Sequence, residues 1–322
     1  MSSATARSST SRLTCTRSTH PNQPTDRQES SVKARLDRFF GQSGKCLDVA
    51  LDHGMTNEFS LLGGIEDMRT AVARIVEAGP DAIQLTPGMA RLLDGVRGKR
   101  RPALALRGDV SNVYGPALPR HLFSEAMDAA VDLAVAADAA CVVVNLLLLP
   151  GQPELHHQCV RNVAGLKREC ESAGMPLMVE PLVMASNDVQ GGYMVDGDLT
   201  KITTLVRQAA ELGADIIKAD PCTDPADFHQ VVETASGIPV LVRGGGRASD
   251  EEVLARTAEI MKQGAAGIVY GRNIIQHPRP QRMVRALMAL VHSPETSVAD
   301  ALKILEDNNA PEPAADAAGV RL

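Results

Sequence analysis

The stretch GADIIKAD (213–220) places a lysine near the end of a run that is otherwise mostly small or apolar. Ile216 and Ile217 would commit this run to a protein core, so the amine of Lys218 would lie largely out of contact with water. Burial favours the neutral form of an amine, and a neutral lysine amine is a nucleophile toward carbonyl groups. The pattern therefore indicates Schiff-base chemistry at Lys218.

A carboxylate that could serve this lysine lies in the preceding apolar run, MPLMVEPLV (175–183). If the two runs are neighbouring strands, Glu180 points to the same rim as Lys218 and could transfer protons. A structural alternative stays open, in which Lys218 pairs with Glu180, Asp220 or Asp52 only to neutralise a polar cavity.

Two glycine-rich segments further along the chain indicate an anion site. RGGGR (243–247) and GRN (271–273) each end an apolar run, and glycines let the backbone approach a ligand and expose its N–H groups. We predict that a phosphate binds both segments, with Arg247 or Arg272 as its counter-charge. The predicted phosphate contacts are Gly244, Gly245, Gly246, Arg247, Gly271, Arg272 and Asn273. Tight turns with exposed arginines are the structural alternative.

These segments belong to a regular alternation of apolar runs and helical patterns. Eight β-rich runs cover 45–54, 81–86, 102–109, 139–148, 175–183, 214–220, 238–246 and 265–273. Helical periodicity lies between them, and examples are 66–79, 121–137 and 199–213, with a short helix predicted at 273–277. Continuous apolar strands indicate a parallel sheet that is covered on both faces. Eight such units over about 250 residues are typical of an α/β fold of the (β/α)8 TIM-barrel type; a doubly wound sheet is the alternative.

A barrel of this type has its active site at the carboxyl ends of the strands. We therefore predict that Lys218, Glu180 and Asp52, which all occupy such ends, are catalytic. Further substrate contacts are predicted for the polar residues at the other strand ends, which are His53, Arg107, Asn145, Asp220 and Arg243.

Composition limits the partners that the chain can have. The 322 residues carry a formal net charge of −6, which argues against nucleic-acid binding, where a basic face supplies most of the affinity. The longest apolar run stops at Pro150 and is too short to span a bilayer. Six cysteines without CxxC spacing indicate a reduced, cytoplasmic protein. We expect a homo-oligomer that acts on a small molecule.

We predict a single barrel domain, 31–305, between two disordered extensions. Residues 1–30 are rich in Ser, Thr and Arg and lack the apolar segment of a secretory signal, although a transit peptide has a similar bias. Residues 306–322 are poor in bulky apolar side chains, which is typical of a disordered tail.

About residues 44–292, the chain resembles the class I (Schiff-base) aldolases of the DeoC/LacD/DhnA superfamily. GADIIKAD matches the pattern that holds the Schiff-base lysine of these enzymes. MVEPLV followed by KADP resembles the tagatose-1,6-bisphosphate and sulfofructosephosphate aldolase branch, where a glutamate faces that lysine. VALDHG and GRNIIQHP resemble instead the archaeal-type fructose-bisphosphate aldolases.

The sequence departs from the archaeal-type enzymes at one position that matters for proton transfer. Those enzymes usually have a tyrosine proton donor just after the fifth strand, whereas this region reads PLVMAS. Glu180 is therefore the leading candidate. Tyr193 is the only tyrosine expected nearby, and it would reach the site only if the NDVQGG loop folds over the barrel mouth.

The resemblance implies a lyase of carbohydrate metabolism. It would cleave a phosphorylated ketose into a ketone phosphate, such as dihydroxyacetone phosphate, and an aldehyde. No cofactor or metal is implied, because the iminium ion is the electron sink.

Three alternatives stay open. The same lysine could catalyse acyl or aldol transfer, as in autoinducer-2 phosphate thiolase or aminodideoxyheptulosonate synthase. The chain could be a phosphosugar-binding regulator that has lost turnover. It could also be a class II, metal-dependent aldolase with His53 as a zinc ligand, although no paired His or Cys spacing supports this.

Overall fold

The computed structural model describes Met1 and residues 34–98, 101–189 and 191–307. Apart from Met1, the predicted extension at 1–30 lies outside the described residues, as does the predicted tail beyond residue 307. Regular secondary structure in the described part begins at Ala34 and ends at Glu306. The domain limits of 31 and 305 remain predictions.

Eight parallel strands form a closed barrel, and each predicted β-rich run overlaps one of them. They are β1 (Cys46–Ala50), β2 (Ala82–Leu85), β3 (Ala103–Arg107), β4 (Cys141–Leu148), β5 (Leu177–Ser186), β6 (Ile216–Ala219), β7 (Val240–Arg243) and β8 (Gly267–Tyr270). Each strand pairs with the next along the chain, and β8 pairs with β1. The TIM-barrel prediction is confirmed.

Helices surround the barrel on its outer face. They are α1 (Ala34–Asp37), α2 (Met68–Ala78), α3 (Pro87–Ala90), α4 (Ala130–Ala136), α5 (Pro153–Ala173), α6 (Leu199–Glu211), α7 (Phe228–Thr234), α8 (Asp250–Lys262), α9 (Arg272–Ile275), α10 (Pro280–His292) and α11 (Val298–Glu306). Local signals define several of their ends. Gly79 ends α2 in the left-handed conformation, and Ser249 and Glu252 form a capping box at the start of α8. Within the described residues, no helix has the length and apolar character needed to cross a membrane.

The helix predicted at 121–137 is wrong in its first half. The pattern at 121–137 predicts a helix, but only Ala130–Ala136 is helical. Ser124–Ala126 is a strand that pairs antiparallel with Asp109–Ser111, and Asn112 accepts a hydrogen bond from the backbone of Phe123 at 2.8 Å. Pairing with a distant segment therefore overrides the helical periodicity of this stretch.

The β5–α6 loop packs against the β3–α4 loop above the barrel. β5 extends to Ser186 and pairs antiparallel with Tyr193–Val195. Gly191 and Gly192 have left-handed φ angles of 78° and 69°. A Cβ on either would lie only 2.3 Å and 2.1 Å from the carbonyl oxygens of Pro116 and Gly115, respectively. Glycine is thus required here for the β5–α6 loop to lie directly on the β3–α4 loop.

Side chains that point into the barrel change character along the strands. A cluster of small and apolar residues fills much of the lumen, and Phe39, just before β1, is fully buried in this cluster. Because inward-facing positions repeat every two residues, the next inward position on seven strands is polar. These pairs are Cys46 and Asp48, Ala82 and Gln84, Ala105 and Arg107, Val143 and Asn145, Met178 and Glu180, Ile216 and Lys218, and Leu241 and Arg243. Polar side chains therefore collect at the carboxyl end of the barrel.

Candidate active site

A cavity opens at the carboxyl ends of the barrel strands, and most of the predicted site residues line it. Those that do are Asp52, His53, Arg107, Asn145, Glu180, Lys218, Arg243, Gly244, Gly245, Gly271, Arg272 and Asn273. Gly246, Arg247 and Asp220 do not line it. The barrel thus brings together residues from seven of its eight strand ends.

Lys218 lies in the wall of this cavity with two polar partners. Its Nζ is 2.9 Å from Oε1 of Glu180 and donates to Oε1 of Gln84 at 3.3 Å. The amide of Gln84 in turn donates to Asp52 at 2.6 Å. Lys218 is only 4% exposed and Gln84 is fully buried. Asp52 therefore acts on the lysine through Gln84 rather than by direct contact.

Arg107 holds the carboxylates of this network. Its Nε donates to Asp52 at 2.7 Å, one terminal nitrogen donates to Glu180 at 2.7 Å, and the other contacts Asp109 at 3.2 Å. Asn145 accepts a further hydrogen bond from Arg107 at 3.3 Å. Burial by itself opposes the charge of Arg107, but the three carboxylates together raise its pKa well above the usual value.

The same contacts keep two carboxylates ionised. Burial alone would raise the pKa of Glu180, but Lys218, Arg107 and Arg243 together lower it below the usual value. The pKa of Asp52 is likewise lowered, because Arg107 and Lys218 outweigh the effect of its burial. Both oxygens of Glu180 are engaged, one by Arg107 and one by Lys218. Glu180 is thus placed to exchange a proton with the lysine nitrogen.

Arg243 forms a second buried ion pair beside the lysine. Its Nε donates to Asp220, and Asp220 also accepts a hydrogen bond from the backbone of Val183 at 2.6 Å. Asp220 therefore lies behind Arg243 and outside the cavity. Among the described residues, Nη2 of Arg243 is buried without a hydrogen-bond partner. This guanidinium nitrogen can donate to a ligand.

The glycine-rich ends of β7 and β8 are held against each other. The amide of Asn273 donates to the carbonyls of Gly244 and Gly246 at 3.3 Å and 3.2 Å, and Arg272 donates to the carbonyl of Gly245 at 2.9 Å. Gly245 has a φ of 63°, where a side chain would be strained. Arg272 lines the cavity, and α9 begins directly after Gly271.

Arg247, the other predicted counter-charge, lies elsewhere. It is exposed and borders a separate groove with Gly63, Gln276 and His277. The two predicted counter-charges are therefore not equivalent, since Arg272 alone of the two lines the cavity.

His53 packs tightly under the β8 turn. A Cβ on Gly271 would lie 2.3 Å from Cε1 of His53, so glycine is required where the ring meets the backbone. Burial lowers the pKa of His53 to about 4, and the ring is therefore neutral near pH 7. Among the described residues, no three His, Cys, Asp or Glu side chains are grouped so that they could hold a metal ion.

A tyrosine that no sequence pattern marks lines the cavity. Tyr114, on the β3–α4 loop, is part of the cavity wall, and burial raises its pKa to about 12. Tyr193 instead pairs with Ser186 outside the cavity, so the expectation that it is the only nearby tyrosine is wrong. No local pattern marks Tyr114, because its position depends on the contact between the β3–α4 and β5–α6 loops.

Gln84 and Asp48 are two further buried polar residues that were not predicted as site residues, although the sequence marks both. Gln84 and Asp48 interrupt otherwise apolar runs at inward-facing positions. Asp48 is fully buried, and neither of its carboxylate oxygens has a hydrogen-bond partner in the described part of the chain. Burial raises its pKa to about 7, with Lys218 opposing this effect and Asp52 and Glu180 adding to it.

Comparison with known proteins identifies the family. Residues 46–277 match the DeoC/LacD family aldolase domain. The chain is 32% identical to an uncharacterized aldolase of Saccharolobus solfataricus, over 84% of this chain and 98% of that protein. It is 28% identical to 2-amino-3,7-dideoxy-D-threo-hept-6-ulosonate synthase of Halobacterium salinarum, over 85% of this chain and 97% of that protein.

A solved structure agrees with these relatives. An archaeal fructose-1,6-bisphosphate aldolase, with its catalytic lysine covalently bound to the carbinolamine intermediate of the substrate, has a TM-score of 0.66 at 25% identity. The match covers 81% of this chain and 99% of that chain. The chain belongs to the DeoC/LacD aldolase family, and the resemblance seen in its sequence is confirmed.

Asp48 predicts a pH-dependent stability. The unfolded chain releases this proton near its usual pKa of 3.8, whereas the folded protein releases it at about 7. The folded protein therefore holds more protons between these values, and its stability falls as the pH rises through this window, by about 4 kcal/mol in total. Asp48→Asn removes this titration, so urea unfolding between about pH 4 and pH 8 should show a smaller loss of stability in the variant.

Asp94→Asn, at an exposed position, is the matched control and should keep the wild-type dependence on pH. An identical pH dependence in wild type and Asp48→Asn would show that Asp48 does not titrate in this window.

Proposed function

We propose that this DeoC/LacD family member is a class I aldolase that reversibly cleaves a phosphorylated ketose through a Schiff base on Lys218. The observation that carries the proposal is the position of Lys218 Nζ in the cavity wall, 2.9 Å from Glu180. The similar archaeal aldolase whose lysine is bound to a carbinolamine supports it. The ketone phosphate released would be one such as dihydroxyacetone phosphate.

To form the Schiff base, the lysine nitrogen must lose a proton, and a proton must later be supplied to the hydroxyl group that leaves as water. In the proposed first step, Oε1 of Glu180 accepts a proton from Lys218, and the free amine adds to the ketone carbon of the substrate. The carbinolamine then loses water, for which Glu180 can return the proton to the departing hydroxyl. The product is an iminium ion that draws electrons toward nitrogen.

Bond cleavage follows from this electron sink. A base removes the proton of the hydroxyl beyond the scissile carbon–carbon bond, an aldehyde forms from that carbon, and the bonding electrons become the enamine. Protonation of the enamine carbon and hydrolysis of the iminium ion then release the ketone phosphate and restore Lys218. Glu180 is our first candidate for the base, and the hydroxyl of Tyr114, which also lines the cavity, is the second.

Asp52, the third predicted catalytic residue, has a positioning role in this mechanism. Arg107 fixes Asp52 and Glu180 at 2.7 Å each, and Asp52 orients Gln84, which contacts Lys218. Lys218 is therefore held between two side chains that are themselves fixed. A preorganised site of this kind does not have to reorganise as charge moves during the reaction.

We place the substrate phosphate at the ends of β7 and β8. Arg272 lines the cavity there, the free nitrogen of Arg243 lies nearby, and Gly244, Gly245 and Gly271 leave room for a ligand beside the backbone. Burial and repulsion from Arg243 and Arg247 lower the pKa of Arg272. An anion between these cations would relieve that repulsion.

One relative supports a second candidate function. The similarity to a heptulosonate synthase supports the alternative that Lys218 catalyses an aldol or acyl transfer between two substrates. Release of an aldehyde from a single ketose phosphate distinguishes cleavage from transfer. A regulator without turnover would form no product from a single ketose phosphate and none from a pair of substrates.

The proposed chemistry needs no cofactor, because Lys218 supplies the electron sink. We accordingly propose that turnover persists in excess chelator, whereas a class II enzyme would lose its activity. The homo-oligomeric state and the cytoplasmic location remain predictions.

The covalent lysine can be tested by trapping. Borohydride with dihydroxyacetone phosphate should add the mass of the reduced ketone phosphate to a peptide that contains Lys218, measured by mass spectrometry. Lys218→Met should abolish both the adduct and turnover, whereas Lys201→Met, at an exposed position, should retain both. An adduct on a different lysine contradicts the assignment.

The two arginines provide a test of the phosphate site. A charge-assisted hydrogen bond contributes about 1.5–3 kcal/mol, so Arg272→Ala should raise KM for a phosphorylated ketose roughly ten- to a hundred-fold. Arg247→Ala should have a much smaller effect, because this side chain does not line the cavity. Equal use of phosphorylated and phosphate-free ketoses by the wild type would show that the site is misassigned.

The proton-transfer roles can be separated by conservative substitutions. Glu180→Gln keeps the shape of the side chain but removes the base, so kcat should fall by about 10²–10⁴-fold. An adduct should still be trapped, but more slowly, because Glu180 also exchanges protons with Lys218 while the Schiff base forms. Tyr193→Phe, outside the cavity, should behave like wild type. Near-normal turnover in Glu180→Gln together with a collapse in Tyr114→Phe would transfer the role to the tyrosine.

A further inference from the structure

A buried carboxyl group that the proposed mechanism does not use lies below the reactive lysine. Asp48 and Ala50 are successive inward-facing positions on β1, and Ala50 lines the cavity whereas Asp48 does not. The partner of Ala50 on β2 is Gln84, the side chain that contacts Lys218. Asp48 therefore lies one inward position deeper in the lumen than this contact.

The described part of the chain offers the carboxyl group of Asp48 no hydrogen-bond partner. The side chain is fully buried. The thiols of Cys46 and Cys141, which lie near it in the lumen, stay uncharged because burial raises the pKa of both well above the usual value. Removing an unpaired carboxylate from water is costly, and such a group binds a proton instead. The position of Asp48 therefore favours its uncharged acid.

The charged groups that face Asp48 come from four segments of the barrel. Burial has the largest effect on its pKa and raises it, and Lys218 on β6 has the largest effect of any charged group and lowers it. Asp52 after β1 and Glu180 on β5 raise it further, whereas Arg107 on β3 lowers it. Together these effects give a pKa of about 7. Asp48 is therefore coupled most strongly, among charged groups, to the lysine above it.

The proposed reaction requires the nitrogen of Lys218 to lose its positive charge twice. The amine must be uncharged when it attacks the ketone, and the cationic iminium becomes an uncharged enamine when the carbon–carbon bond breaks. A carboxylate near this nitrogen would stabilise the cationic forms, so both steps would be slower. A neutral acid at the same place would not have this effect.

We propose that Asp48 is a positioning residue that acts through Lys218: as an uncharged acid it lets the nitrogen lose its positive charge, and its ionisation slows the reaction. This inference rests on the proposed function, since it takes Lys218 to form the Schiff base. The ionised fraction of Asp48 grows as the pH rises through about 7. The enzyme should therefore be slowed progressively above neutral pH.

Hydrogen exchange on dihydroxyacetone phosphate tests this inference without knowledge of the aldehyde. In the exchange, the iminium ion loses a proton from the neighbouring carbon to become the enamine, and a deuteron from the solvent returns to that carbon. Proton NMR would follow the rate at saturating ligand between about pH 6 and about pH 9, for the wild type and for Asp48→Asn. Circular dichroism would show that both proteins remain folded over this range.

The measured quantity is the ratio of the variant rate to the wild-type rate. A nearby charge that changes the pKa of a group by about one unit changes the corresponding equilibrium about ten-fold. The ratio should therefore rise about ten-fold from the lowest pH to the highest. A purely structural role of Asp48 would lower the variant rate by the same factor at every pH, and the ratio would stay constant.

Two further variants complete the design. Asp94→Asn, at an exposed position outside the cavity, is the matched control and should give a ratio that does not change with pH. Asp48→Ala is a second uncharged variant, for use if Asp48→Asn fails to fold, and it should show the same rise in the ratio.

The outcomes separate this inference from the proposed function. Exchange that is present in the wild type and abolished in Lys218→Met, combined with a constant ratio for the Asp48 variants, overturns the inference and leaves the aldolase proposal in place. A rise of the ratio in Asp94→Asn would overturn it as well, because the effect would then not be specific to the buried group. Absence of both exchange and a borohydride adduct on Lys218 overturns the proposed function itself.

Discussion

The site is organised around a single buried guanidinium. Arg107 joins carboxylates from three different segments, Asp52 after β1, Asp109 after β3 and Glu180 on β5, at 2.7–3.2 Å. Buried charges are tolerated when they are paired and hydrogen-bonded, and loss of one partner leaves the others uncompensated. The planar guanidinium donates along fixed directions, so it also sets where the carboxylate beside Lys218 lies.

This pairing also decides which arginines a ligand can contact. All the carboxylate partners of Arg107 are protein groups, whereas Arg243 and Arg272, at the ends of β7 and β8, line the cavity with fewer carboxylate partners. Barrel closure places these groups together, because β8 pairs with β1 and so brings Gly271 and Arg272 beside the segment that carries Asp52 and His53. The apolar lower lumen excludes water from beneath the site and strengthens every charge interaction above it.

Much of the fold could be predicted because its signals are local. Each barrel strand is a short apolar run, and its ends are marked by glycines, prolines and caps such as Ser249. The segment 121–137 shows the limit of this reasoning, since its helical periodicity is real but Ser124–Ala126 pairs with Asp109–Ser111 instead. Local periodicity cannot report an antiparallel partner that lies more than ten residues away.

The sequence by itself determined the barrel, its family and the set of polar residues at the strand ends, including Lys218 and Glu180. The tertiary structure decided how these residues are connected. It places Gln84 between Lys218 and Asp52, turns Asp220 behind Arg243, keeps Arg247 out of the cavity and brings Tyr114 into it. The physical reason is that residue type and local pattern determine which strand end a side chain occupies. Its hydrogen-bond partners come from strands and loops that meet only when the barrel closes.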